Sequence, residues 1–231
     1  MKPALAILYV DNHLLALAKP AGLPTVPDAS GDASLYDLAR AWVRAEFAKP
    51  GEAFLGIVHR LDRPVSGVVL FARTSKAAAR LSAQFRERRA RKTYWGVGEG
   101  ERTGSGVVEQ WLAKHEAKNR VQAFASERAG AQHARTVWTA LERGAGRTLY
   151  RFEPETGRPH QLRLAAVALG TPLCGDLKYG ARGALPDRSL ALHARSLLVA
   201  HPTRAQEVVL EAAAPALAVW DFATCRAGGT A

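Results

Sequence analysis

In the stretch IVHRLDRPVSGVVLFA, residues 57–72, a single acid, Asp62, stands between Arg60 and Arg63 and is flanked by apolar runs. A charged trio in that setting suits neither a plain core strand nor an idle surface. The following VSGVVLFA reads as a turn and then a buried β-strand, which puts Asp62 at the mouth of a strand, a usual place for chemistry on a rigid scaffold. Two other segments concentrate polar groups in the same way: Lys92-Thr93-Tyr94, where a basic helix hands over to a strand, and TGRPHQLR, residues 156–163, entering a helix from a turn. Taken singly, each has a structural explanation. Asp62 could be half of a salt bridge, Tyr94 a core aromatic and Arg163 a surface helix residue, since structural ion pairs are common.

Composition narrows the classes of chemistry. The 231 residues carry 32 Lys and Arg against 21 Asp and Glu, a formal net charge of +11. A chain this basic is a candidate binder of polyanions, nucleic acid first, although charge can also serve solubility alone. Cys174 and Cys225 lie far apart without metal-ligand spacing, which fits a reducing cytoplasm rather than a disulfide scaffold. The apolar N-terminus is interrupted at Asp11 and makes a poor signal peptide, and no run has the length of a membrane span. GTPLCGD, residues 170–176, fails as a phosphate loop because Asp176 stands where the loop lysine is needed. GVGEGERTGSG lacks a dinucleotide-site context and reads as a hairpin loop. The seven histidines show no metal-binding pattern, and no serine sits in a nucleophile elbow. No cofactor and no metal are implied.

The elements that must position these residues follow from periodicity and punctuation. Residues 5–18 read as two strands around an Asp-Asn turn, followed by the extended PAGLPTVP. Residues 34–48 read as a helix with Ser34 and Asp37 at capping-box spacing and Leu35, Leu38, Trp42 and Val43 inward. SKAAARLSAQFRERRARK, residues 75–92, reads as a second helix with Ala78, Leu81 and Phe85 inward. Its last turn carries Arg88, Arg89, Arg91 and Lys92, more cations than the helix dipole calls for, and so suggests a phosphate-facing role. Tyr94 to Pro154 is strand-rich. Residues 158–170 read as a helix ending at Gly170, residues 190–202 and 207–212 as strands, and APALAVWDFA as a short final helix. Runs of strands outnumber strand–helix alternations, which predicts α+β with a mainly antiparallel sheet. No composition break marks a boundary, so residues 1–226 are expected to form one domain, with 227–231 a frayed tail.

The ordered motifs together resemble the RluA-like family of RNA pseudouridine synthases, which isomerise uridine to pseudouridine. HRLDRPVSG at 59–67 is similar to the family's catalytic HRLD signature, LALAKPAGLPTVP at 15–27 to its lysine–proline–x–glycine segment, and RKTYWGVGEG at 91–100 to its K-x-Y element. TGRPHQLR at 156–163, GTPLCGDLKYG at 170–180 and LHARSLLVAHP at 192–202 follow in the family's order. The resemblance implies a mainly antiparallel sheet split by a central cleft, with Asp62 as nucleophile in it. It implies Tyr94 stacked against the target base and helping to remove the C5 proton, and Arg163 paired with Asp62 to keep it ionised in a partly dry pocket. It further implies that Arg60 fills the gap left when the uridine leaves the RNA stack. His59, Lys92 and Arg158, inside the matched motifs, and Arg88, Arg89 and Arg91 complete the set expected to bind substrate, His59 being better suited to scaffolding than to chemistry.

Glycoside hydrolysis, the neighbouring chemistry, needs a second carboxylate to activate water, and HRLDRPVSG offers none. Val65 replaces the family's usual threonine, and Ala165 stands where a histidine often follows. The expected substrate is therefore ribosomal or transfer RNA without further specification. The expected protein is cytoplasmic, monomeric, without membrane attachment and without a separate N-terminal RNA-binding module. The alternative is a non-catalytic RNA-binding protein or chaperone on the same scaffold; a nuclease or nucleoside hydrolase lacks a paired acid and base.

Overall fold

The protein is described here as a computed structural model covering residues 5–48, 51–115 and 120–227, so the tail expected at 227–231 lies almost wholly outside the described residues. Two compact units divide the chain, Met1–Arg91 with Ala194–Ala213, and Lys92–His193 with Ala214–Ala231. Each unit uses two separate stretches of sequence, which is why no linker composition announces the division. Short helices packed on antiparallel strands make both units α+β, as expected.

In the first unit, strands β1 (Ala6–Val10) and β2 (Leu14–Lys19) form the antiparallel pair expected around the Asp-Asn turn. Asp11 builds that turn. Its Oδ1 accepts from the backbone N–H of His13 (2.7 Å) and Leu14 (2.8 Å), and its Oδ2 accepts from Tyr9 Oη and faces His201 Nε2 at 2.8 Å. Opposing burial, these hydrogen bonds hold the Asp11 carboxyl down at about 2. Helix α1 (Leu35–Glu46) has the anticipated capping box between Ser34 and Asp37, and it buries Leu35, Ala39 and Val43. The short β3 (Gly56–Ile57) and β4 (Ser66–Ala72) follow, then helix α2 (Ser75–Arg86). β2 pairs with β4 in an antiparallel register from Leu14↔Ala72 to Lys19↔Gly67. All seven residues of β4 are buried, as a strand covered on both faces requires. Val68, Leu70 and Ala72 join Ala77 and Leu81 of α2 in one core cluster, while Phe71 meets Tyr36 of α1 at 6.1 Å between ring centroids. Each fully buried leucine there contributes about 1.5–3 kcal/mol.

β10 (Leu192–Ala200) returns beside β4, and β11 (Glu207–Glu211) pairs antiparallel with it. Gly67 marks the close approach. Its φ is +117°, and a Cβ there would lie 2.3 Å from the carbonyl oxygen of Ala194, so only glycine fits.

The helix expected over residues 75–92 stops at Arg86. Arg88 takes a left-handed φ of +59°, and the N–H groups of Arg89 and Ala90 both return to the carbonyl of Gln84. Helix propensity in the arginine run loses to burial of Ala90 and to the strand that starts at Arg91. The basic residues thus form a turn and a strand start rather than a last helical turn.

In the second unit, β5 (Arg91–Glu99), β9 (Arg147–Pro154), β8 (Gln132–Gly144), β6 (Ser105–His115) and β7 (Arg120–Phe124) lie side by side in that order, each pair antiparallel. β5 and β6 are therefore not neighbours, and the glycine-rich segment between them is a crossing connection rather than a hairpin loop. Helix α3 (Gln161–Ala168) packs on one face, its Leu164 against Leu112, Val121 and Ala134. Gly170 ends it as expected, with φ +75°. The other face is covered by Val219, Trp220 and Phe222, packed on Trp95, Val97 and Leu149. Trp220 and Phe222 are two residues apart and both buried, whereas a regular α-helix would turn them to nearly opposite faces. The final helix expected over 214–223 accordingly becomes a 3-10 turn, Ala218–Trp220, followed by the short helix α4 (Ala223–Ala227).

Candidate active site

In the first unit, the Asp62 turn is fastened to the segment between β2 and α1 by hydrogen bonds on either side of the acid. Thr25 Oγ1 donates to the carbonyl of Leu61 (2.7 Å) and accepts from its N–H (3.2 Å). The carbonyl of Arg63 accepts from Gly22 N–H (2.9 Å) and from Lys19 Nζ (3.1 Å), and Arg63 Nε donates back to the Gly22 carbonyl (3.0 Å). Val65 N–H donates to the carbonyl of Asp62 itself, closing the turn. KPAGLPT and LDR thus form one rigid cradle, although the sequence separates them by some forty positions.

Lys19 is the keystone of that cradle. It is only 1% exposed, and its Nζ also donates to the carbonyls of Pro20 (3.0 Å) and Leu23 (2.7 Å). Burial pushes its ammonium down to about 7; Asp62 opposes that shift and Arg63 adds to it. Three carbonyl acceptors match the three N–H bonds of an ammonium, so these bonds favour the charged form against burial.

His59 anchors the turn from its other end. Its Nε2 accepts from Leu70 N–H (2.9 Å), and its ring stacks on Phe85 at 4.8 Å. Asp62 and Arg60 are both exposed. The cradle holds the turn by its backbone. Arg88 and Arg91 are exposed, and Arg89 is exposed and paired with Glu87 at 2.5 Å.

In the second unit, Lys92 and Tyr94 are half-buried on β5, Tyr94 opposite Phe152 of β9. Lys92 Nζ is the atom nearest to where a Cβ on Gly157 would lie, at 3.9 Å, so the K-x-Y and TGRPHQLR segments meet. Gln161 organises the start of α3. Its Oε1 accepts from Thr156 Oγ1 (2.7 Å) and Arg158 N–H (3.0 Å), and its Nε2 donates to Thr136 Oγ1 and the Arg135 carbonyl, both at 2.9 Å. Arg158 Nε donates to the His133 carbonyl (3.1 Å).

Arg163 is 7% exposed and is not a surface helix residue. Its Nε donates to Asp176 Oδ2 (2.7 Å) and its Nη2 to Asp176 Oδ1 (2.5 Å), while its guanidinium carbon lies 4.7 Å from the centre of the Tyr179 ring. Asp176, 1% exposed, was missed by sequence reasoning, which weighed it only as a misfit in a phosphate loop. The available signal was an acid next to a glycine inside a matched motif. With both oxygens held by one guanidinium, Asp176 is locked as an acceptor and does not supply the mobile second acid of a hydrolase. Among the described residues no cluster of His, Cys, Asp and Glu could hold a metal ion, and no helix is long and apolar enough to cross a membrane.

Two compact α+β units carrying HRLD, K-x-Y and HQLR elements on a turn, a strand and a helix define an RNA-modifying isomerase fold. The profile of the RNA pseudouridylate synthase family matches residues 13–168, and the chain belongs to that family. It is similar to the dual-specificity RNA pseudouridine synthase RluA of Haemophilus ducreyi, with 36% identity over 89% of this chain and 91% of that protein. It is also 36% identical to an uncharacterized RNA pseudouridine synthase of Zymomonas mobilis, over 84% of this chain and 87% of the relative. Against ribosomal large subunit pseudouridine synthase C of Vibrio cholerae the identity is 33%, covering 90% of this chain but 65% of the relative. Among solved structures, human RNA pseudouridylate synthase domain containing 4 superposes with a TM-score of 0.74 at 25% identity, covering 91% of this chain and 89% of that one. The chain is an RNA pseudouridine synthase, an isomerase acting on RNA.

Proposed function

We propose that the chain converts specific uridines to pseudouridine in structured ribosomal or transfer RNA, with Asp62 as nucleophile. The observation that carries this reading is the cradle: an exposed carboxylate on a turn whose backbone is held on both sides of the acid. In the net reaction the N1–C1′ bond breaks, C5 bonds to C1′, C5 loses its proton and N1 gains one, so atoms balance without a cofactor. Asp62 either attacks or stabilises the cation-like sugar. Tyr94 stacks on the base and assists the C5 proton, and Arg163 orients Asp62. Bound RNA supplies the cover that keeps water from the detached base.

Extrusion of the uridine leaves a gap that the exposed Arg60 fills. Arg88, Arg91, Lys92 and Arg158 contact phosphates beside the reacting nucleotide. Arg89 joins them less strongly, because Glu87 already holds it. The protein acts in the cytoplasm as a monomer, a setting that suits its two buried cysteine thiols; burial pushes the Cys174 thiol up to about 11. Asp62→Asn keeps shape and hydrogen bonding while removing the charge. The purified variant binds RNA like the parent but releases no tritium from C5-labelled uridine; release at the parent rate would remove Asp62 from the mechanism.

A further inference from the structure

We propose that Asp176 is a positioning residue for the reaction, setting the plane of the Arg163 guanidinium so that its remaining nitrogen, Nη1, is aimed for use. This rests on the reading of Arg163 as the counter-ion of Asp62. Three observations point the same way. Asp176 takes both Nε and Nη2 in a two-pronged pair, which fixes a planar group in rotation as well as in place. Tyr179, three residues on, has the same guanidinium over its ring, and its hydroxyl is held by His160 Nδ1 at 2.7 Å and by the N–H of Val121 at 2.8 Å. The turn from Asp176 to Tyr179 is thus a socket gripping Arg163 at its edge and on its face.

The third observation is how the socket is mounted. Cys174 N–H donates to the carbonyl of Val97 and Glu99 N–H to that of Pro172, each at 2.8 Å, so the turn hangs from β5, the strand that carries Tyr94. Gly175 makes the approach possible: its φ is +83°, and a Cβ there would lie 2.5 Å from the Ser189 carbonyl oxygen. An ion pair with partners 8% and 1% exposed is seldom the most stable filling of such a space, because desolvation takes back most of the attraction. A pair kept for stability alone could be apolar. A pair that orients a cation on the element next to the tyrosine cannot.

The test compares single-turnover rate with equilibrium RNA binding for Asp176→Asn, Arg163→Lys and the double variant. Asp176→Asn should slow the bound-state reaction by about tenfold to a hundredfold, the scale of a misplaced catalytic group, with RNA affinity within about threefold. The double variant should be no slower than Arg163→Lys alone. Losses that multiply in the double variant, or an RNA affinity that falls as far as the rate in Asp176→Asn, would overturn the proposal. If Asp176→Asn does not fold, Asp176→Glu keeps the charge and displaces it by one methylene; a parent-like rate there overturns the proposal equally. Full activity in Asp62→Asn would instead bring down the assignment of the nucleophile. An inactive Asp62→Asn beside a fully active Asp176→Asn would refute only the socket.

Discussion

The Asp62 cradle and the Arg163 socket hold their residues by opposite means. The cradle grips the backbone on either side of Asp62 through several hydrogen bonds and leaves the side chain exposed. The socket grips the side chain itself, with one buried carboxylate taking two guanidinium nitrogens. A group that must meet a large substrate has to be held from behind, whereas a group that only orients another can be buried and fixed at its tip. The first arrangement spreads its energy over many modest contacts; the second concentrates it in one pair. Damage to the cradle should therefore be graded, and damage to the socket abrupt.

Arg163→Lys is the sharpest way to break the contrast. It keeps the charge but loses the fork that fits Asp176, and turnover should fall about a hundredfold or more with RNA affinity nearly unchanged. Single-turnover rates beside binding isotherms decide this; an affinity collapse with an intact bound-state rate would make Arg163 an RNA contact. Lys19→Met should come next. It leaves the carbonyls of Pro20 and Leu23 without their donor, and the variant should lose about 2–3 kcal/mol in urea unfolding and about tenfold in rate. Thr25→Val, which removes the bonds to Leu61 only, should cost about 1–2 kcal/mol and a few-fold in rate. If either cradle variant proves as damaging to rate as Arg163→Lys, the turn is no more redundantly held than the socket.

The smallest effect provides the control. Asp11 ties β1, β2 and His201 together without touching the Asp62 turn. Its folded-state carboxyl, at about 2 against an ordinary 3.8, is depressed, so its contribution is present above about pH 4 and is lost as pH falls toward 2. Asp11→Asn should remove about 1–2 kcal/mol at neutral pH, after allowance for partial solvent screening, and flatten the acid limb of the stability curve. The bound-state rate at neutral pH should not change. A slowed rate would mean that the cradle senses strain from the far end of β2.

Much of this contrast was legible in sequence, but unevenly. The continuous apolar runs of β2 and β4 and the capping box of α1 are local signals, and they place the strand mouth where Asp62 sits. What joins LDR to KPAGLPT is a set of backbone hydrogen bonds between distant segments, and backbone groups carry no residue-type signature. The helix expected through Lys92 failed because arginine-rich sequence satisfies helix propensity locally, while burial of Ala90 is a tertiary fact. Asp176 was hidden for a related reason: an acid 13 positions from its arginine announces a pair only once α3 and the following turn have been folded back together.

The contact between Gly67 and Ala194 bears on how the protein is made. While the ribosome is still synthesising the second unit, residues 1–91 are already free to collapse, yet β10 and β11 do not exist. During that interval most of one edge of β4 has no partner, and the nascent chain presents an apolar strand edge of the kind that invites mispairing. Only when the segment after residue 194 emerges can it seat against Gly67, so closure of the unit behind Asp62 is a late event in translation. A truncated chain ending before that point would carry every residue of the HRLD motif on an unfinished scaffold.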